Sequence, residues 1–203
     1  MNLKDTYNKI AEDWHKDHTK DTWWVEGTDA FVRLMPEGGS VLDAGCGSGM
    51  KAKYLAHRGL RVLGVDFSEK FIDIARGEVP EAQFAVLNLY DIDTLTQTFD
   101  GVFMQASLLH IEKKDVRLVL EKTLGLLKSG GFLYVAVKSG RPGGAEEEIK
   151  TEDDYGYEYN RFFSYFSAKE MKEHFAVLGL TVVYEHIPTG NTTQWIQLIG
   201  KRA

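Results

Sequence analysis

The chain is 203 residues long, 43% hydrophobic and 27% charged, which fits a single globular domain that buries a full core of its own. One cysteine, Cys46, excludes an internal disulfide and fits a reducing cytoplasm. The net charge of −6 argues against a broad grip on nucleic acid; the longest apolar run, 132–137, is far short of the roughly 20 residues that span a bilayer, and the polar N-terminus holds no signal-peptide core.

Residues 1–34 read as two helices joined by a polar stretch, 15–21, with Tyr7, Ile10, Ala11 and Trp14 on one face of the first. His15 and His18 have a helical metal spacing, but nothing completes a ligand set, so a solvated face and no metal are expected. From Ser40 onward short apolar runs alternate with helical patterns. Strand 40–44 precedes helix 50–58, and strand 61–65 precedes a helix at 68–78 opened by Ser68. Strands 83–87 and 101–105 follow, then a helix at 115–127 closed by Gly130 and Gly131, and a strand at 132–137. A helix at 168–178, capped by Ser167 and ended by Gly179, leads to strands 180–186 and 193–201. Only 187–192, with Pro188, Gly190 and Asn191, separates the last two strands, so they must form an antiparallel hairpin. The expected fold is α/β: a doubly wound, mostly parallel seven-stranded sheet ending in that hairpin.

Residues 139–166 interrupt this alternation. A glycine-rich hinge at Gly140, Pro142, Gly143 and Gly144 runs into an acidic stretch, 146–154, read as a solvated or mobile loop, and then into a dense aromatic cluster, 155–166.

The strongest signal is Val41-Leu-Asp-Ala-Gly-Cys-Gly-Ser-Gly49, an apolar strand that ends in an acid and enters a glycine loop. Its G-x-G-x-G spacing differs from the dinucleotide fingerprint G-x-G-x-x-G, and no phosphate-loop Gly-Lys-Ser/Thr follows. Asp43 would repel a pyrophosphate and attract an amine or cation. The next strand ends in Asp66, 21 residues after Gly45, about where such folds place an acid that binds ribose hydroxyls. Cys46 lies inside the loop without a neighbouring histidine and is read as no nucleophile.

These motifs resemble class I S-adenosylmethionine-dependent methyltransferases of the small-molecule, single-domain type, over roughly 40–138 and the terminal hairpin. The resemblance implies S-adenosyl-L-methionine as cofactor, S-adenosyl-L-homocysteine as product and methyl transfer by in-line displacement. It implies that Asp43, Ala44, Gly45, Cys46 and Gly47 surround the methionine part and that Asp66 holds the ribose, with little effect on stability if replaced. Phe67, Asn88 and Leu89 would meet the adenine, Gln105 and Ala106 would lie beneath the sulfonium, and Tyr7 would be a lid tyrosine. His110 is a candidate base, with no catalytic residue assigned with certainty. Trp14, His110, Arg161, Phe162 and Tyr165 are candidates for the acceptor pocket, with Arg161 free either to pair with the acidic stretch or to bind an anionic substrate. Residues 1–34 and 139–166 are expected to cover the active site, closing on the cofactor, above a core at 40–138 and a C-terminal unit at 167–203. A cytoplasmic monomer or weak homodimer acting on a small molecule is expected. The aromatic stretch after Arg161 also resembles tRNA wobble-uridine methyltransferases, which leaves a modified tRNA base as an alternative acceptor; a non-catalytic cofactor-binding protein is the other alternative.

Overall fold

Val41, Leu42, Val65, Val102, Phe103, Met104 and the run from Leu133 to Val137 are all at most 1% exposed, so the central strands are covered on both faces. The computed structural model describes residues 2–141, 143–187 and 193–203. The expected turn residues Pro188, Gly190 and Asn191, and Pro142 of the hinge, lie outside the described residues. In chain order the elements are α1 (Leu3–His18), α2 (Val25–Leu34), β1 (Ser40–Ala44), α3 (Met50–Ala56), β2 (Arg61–Asp66), α4 (Glu69–Glu78), β3 (Gln83–Val86), β4 (Phe99–Gln105), α5 (Lys113–Gly125), β5 (Leu127–Lys138), β6 (Glu147–Glu152), β7 (Tyr159–Ser164), α6 (Ala168–Val177), β8 (Leu180–His186) and β9 (Trp195–Arg202).

Seven strands form one sheet in the order β3-β2-β1-β4-β5-β9-β8. The first five run parallel; β9 is antiparallel to both β5 and β8. The order reverses between β1 and β4, which opens a crevice at their carboxyl ends. Apolar residues of α2, α3 and α4 (Phe31, Leu55, Ile72) pack on one face of the sheet, and those of α5 and α6 (Val119, Leu120, Phe175) on the other. The α2 contact is close because β4 carries Gly101 there: a Cβ on it would lie 2.5 Å from Phe31 Cζ and 2.6 Å from Met35 Sδ.

Three expectations are corrected. The acidic stretch is not a loop: Glu147–Glu152 is β6, paired antiparallel with β7 from Glu147↔Ser164 to Glu152↔Tyr159. Its carboxylates are tolerated because Glu147 stays exposed, Glu148 accepts from the Tyr165 hydroxyl and Glu152 pairs with Arg161. The first helix runs on through His15 to His18, since Trp14 and His18 stack at 4.1 Å, and His15 Nδ1 lies 2.9 Å from Ser48 Oγ rather than on a solvated face. Gly130 and Gly131 do not close a helix. They sit in a bulge of β5, where 128–131 loop out between the Leu127 and Phe132 pairings.

Gly101→Ala is expected to push α2 off the sheet and to cost about 1–3 kcal/mol, the usual range for overpacking. Urea denaturation of the variant against the wild type measures it.

Candidate active site

The carboxyl ends of β1, β2 and β4 open into a cavity of about 870 Å³. It is roofed by α1, by the α1–α2 connection and by the β6–β7 hairpin. The first wall is the glycine loop. Gly45 and Cys46 donate their amides to the Val65 carbonyl, 2.8 and 3.0 Å away, which pins the loop onto β2. Gly45 has φ +85° and lies so near the β4 loop that a Cβ would come 2.2 Å from Ser107 Cβ, so only glycine fits.

Asp43 and Asp66 stand at adjacent strand ends, 2% and 8% exposed. Burial raises the Asp43 carboxyl to about 7, opposed by the ammonium of Lys51, and Oδ2 of Asp43 has no hydrogen-bond partner. Burial raises Asp66 to about 6, opposed by two amides that it accepts: Ser68 N–H on Oδ1 at 2.9 Å and Gly47 N–H on Oδ2 at 3.0 Å. Asp66 is therefore also a clamp between the glycine loop and the cap of α4. These two bonds count against the expectation that its replacement changes stability little. Burial likewise pushes the Cys46 thiol well up, which fits an inert side chain rather than a nucleophile.

At the end of β4, both side-chain polar atoms of Gln105 and the hydroxyl of Ser107 are buried without partners. Ala106 between them has φ 55°, a left-handed conformation that non-glycine residues rarely adopt. Phe67 packs edge-on against Tyr7 at 5.8 Å. Exposed Asn88 accepts from Tyr90 N–H at 3.1 Å and lines the cavity beside Leu89.

The roof hangs on His110. Its Nδ1 lies 2.7 Å from the Phe162 carbonyl, which can only accept, so Nδ1 carries the proton. Burial lowers the ring to about 3 and keeps it neutral. Nε2 is then the acceptor, and the Tyr7 hydroxyl donates to it across 2.7 Å. Both nitrogens are thus engaged within the protein, which counts against His110 as a base acting directly on an acceptor. Arg161 is also committed: its guanidinium grips Glu152 with two bonds of 2.5 and 2.8 Å.

The cavity brings together eleven of the twelve expected cofactor residues; Ala44 is a fully buried core residue and does not line it. Trp14, His110, Arg161 and Phe162 line it too, whereas Tyr165 packs into the main core and gives its hydroxyl to Glu148. Trp23, aromatic surface expected near the acceptor, lines it as well, and so do Lys51, Lys138 and Trp195, which the sequence reading did not single out. The position of Lys51 directly after the glycine loop, one residue into α3, was the available signal. Nothing in the linear pattern marked Lys138 or the stacking of Trp23 on Trp195, 3.9 Å apart.

The methyltransferase-domain family profile matches residues 41–131, the segment that carries both strand-end acids and the glycine loop. The core of this chain is a class I methyltransferase domain. Over 102 residues the chain is 35% identical to a ubiquinone biosynthesis O-methyltransferase of Coxiella burnetii, covering 48% of this chain and 43% of that protein. The chain spans about half the length of the curated relatives it matches. Solved structures share the methyltransferase fold along almost the whole chain. A 1,6-didemethyltoxoflavin-N1-methyltransferase of Burkholderia thailandensis, holding 1,6-didemethyltoxoflavin and S-adenosylhomocysteine, superposes with a TM-score of 0.77 at 18% identity over 99% of this chain and 87% of its own. The magnesium protoporphyrin IX methyltransferase of Synechocystis, with S-adenosylmethionine, gives 0.74 at 18% identity over 99% and 95%. Among the described residues, no helix is long and apolar enough to cross a membrane.

The raised carboxyls of this methyltransferase domain make its stability pH-dependent. Between about pH 4 and 7 the native protein holds protons on Asp43 and Asp66 that the unfolded chain has released, so these two groups contribute a fall in stability as pH rises through that window, against the rise that the lowered His110 contributes below about pH 6.5. Asp43→Asn is expected to remove its share of that fall in urea denaturation measured from pH 4.5 to 7.5 without added cofactor.

Proposed function

We propose that this protein transfers a methyl group from S-adenosylmethionine to a small-molecule acceptor. The observation that carries the reading is the set of buried, unpartnered polar atoms on Asp43, Gln105 and Ser107 around one cavity. Unpaired buried polar groups cost about 1–3 kcal/mol each, so their concentration at one place points to a polar ligand that satisfies them. The cavity also falls within the about 300–1,000 Å³ typical of small-molecule sites.

The residues present fit the cofactor. Asp43 suits its amino group and Lys51 its carboxylate, a pair matched to the two ends of an amino acid. Asp66 keeps a lone pair on each oxygen for the ribose hydroxyls beyond the two amides that it already accepts. Phe67, Asn88 and Leu89 border the place for adenine, and Gln105 and Ala106 the place for the sulfur. When bound, the cofactor supplies an electrophilic methyl group on a positively charged sulfur, whose departure needs no protonation. The chain's own work is to orient and to exclude water. Tyr7 and His110 hold α1 and β7 over the site, and Trp14, Phe162 and Arg161 wall the acceptor side. Residues 1–34 and 139–166 act as the cover over the 40–138 core within one domain. The same chemistry serves O, N, S or C acceptors.

S-adenosylhomocysteine is expected to raise the melting temperature, since a ligand at 100 times its Kd adds about 2.7 kcal/mol. Asp66→Asn, which keeps the side-chain volume, is expected to weaken its binding by about tenfold, the worth of one charge-assisted hydrogen bond. Calorimetric titration checks both. A folded wild-type protein that binds neither S-adenosylhomocysteine nor S-adenosylmethionine at millimolar concentration sinks the reading.

A further inference from the structure

One cation that lines the cavity has no ion-pair partner among the described residues. Lys138, the last residue of β5, is half-buried and lines the cavity. Its ammonium sits 4.1 Å above the Phe163 ring and 5.8 Å from that of Trp195. Among the described residues no carboxylate lies within ion-pairing distance of it. Glu152, the nearest candidate on β6, is held at 2.5 and 2.8 Å by Arg161 and lies 4.0 Å from Lys150. Glu148 accepts from the Tyr165 hydroxyl. Burial and the nearby Arg161 charge both work against the protonated form, which is lowered to about 8. Contacts with ring faces recover part of the lost hydration, but among the described residues no oxygen accepts its three N–H donors. The charges that bear on Lys138 (Arg161, Glu152, Lys150 and Glu148) are not those that bear on Lys51 (Asp43 and Asp21).

We propose that Lys138 is a specificity-determining residue that binds an anionic group, such as a carboxylate, on a planar acceptor seated against Phe163 and the stacked Trp23–Trp195 pair. The acid neutralises the ammonium and completes its hydrogen bonds; the aromatic wall receives the apolar body. The identification as acceptor rests on the methyl-transfer reading, while the anion preference of the pocket does not.

The test compares benzoate, naphthoate and indole carboxylates, bearing ring hydroxyls, with their carboxamides, in calorimetric titrations of the protein saturated with S-adenosylhomocysteine and of the protein alone. At least one acid is expected to bind about tenfold or more tightly than its amide, the usual worth of a charge-assisted hydrogen bond. Lys138→Met, which keeps the aliphatic stem, is expected to abolish that preference; Lys138→Arg is expected to retain most of it. Both variants are expected to bind S-adenosylhomocysteine like the wild type. The proposal is overturned if no acid outbinds its amide, or if Lys138→Met keeps the preference. It is equally overturned if Lys138→Met weakens S-adenosylhomocysteine tenfold, which would assign Lys138 to the carboxylate of the cofactor. Loss of S-adenosylhomocysteine binding in the wild type would instead sink the methyl-transfer reading, with the acid-over-amide preference still measurable on the protein alone.

Discussion

Two carboxylates buried at neighbouring strand ends set the terms for everything around them. Burial strips hydration from both, which raises both toward neutrality, and the nearby Asp66 charge adds a little to the rise of Asp43. The surrounding chain offers partial compensation in two different ways. Asp66 receives two backbone amides, and those amides are available only because Gly47 takes a left-handed turn and Ser68 begins a helix. Asp43 receives the field of Lys51, itself lowered to about 8 by burial. What remains uncompensated is an oxygen of Asp43 facing the cavity. A site left short of positive charge and donors at this point has a cationic, hydroxyl-bearing ligand as its natural complement.

The roof depends on the other buried titratable group. His110 ties three segments that are far apart in the chain: α1 through Tyr7, the end of β4 through its own backbone, and β7 through the Phe162 carbonyl. A neutral imidazole suits this task because one nitrogen donates and the other accepts. Further ties run from α1 to α4, where Asn8 accepts from the Ser68 hydroxyl at 2.7 Å, and to the hairpin, where Tyr157 donates to Asp13 at 2.9 Å. The aromatic rings of Tyr7, Phe71 and Tyr159 fill the space beneath. The cover is therefore built as a packed layer with its own small core, tied to the rest of the fold by a few hydrogen bonds.

The cavity divides electrostatically. The lining at the ends of β1 and β2 presents unpaired acid, with Asp43 and Asp66 against Lys51; that at the end of β5 presents Lys138, with no ion-pair partner among the described residues, beside an Arg161 already satisfied by Glu152. Opposite unbalanced charges in one enclosed space favour ligands of opposite sign in each half. They also disfavour exchange of their places, so that orientation is built into the charge pattern.

Many of the residues that line the cavity, and the sheet that carries them, were legible in the linear chain, because both rest on local rules. Strand-end acids, left-handed glycines and helix caps each act within a few residues, and a six-residue gap between two apolar runs permits only a hairpin. The curved roof was not legible in the same way. The acidic stretch became a strand only because β7 folds back on it and Arg161 meets Glu152 across the pair, nine residues away along the chain. His110 was a candidate base in sequence; the tertiary structure places the Tyr7 hydroxyl on one ring nitrogen and the Phe162 carbonyl on the other. Lys138 was one more charge at the end of a strand until Phe163 and Trp195 closed around it. The sequence by itself determined which residues can bear charge and where the backbone can turn. Only the tertiary structure decided which of those charges would find partners inside the protein, because pairing depends on distances that no local pattern specifies.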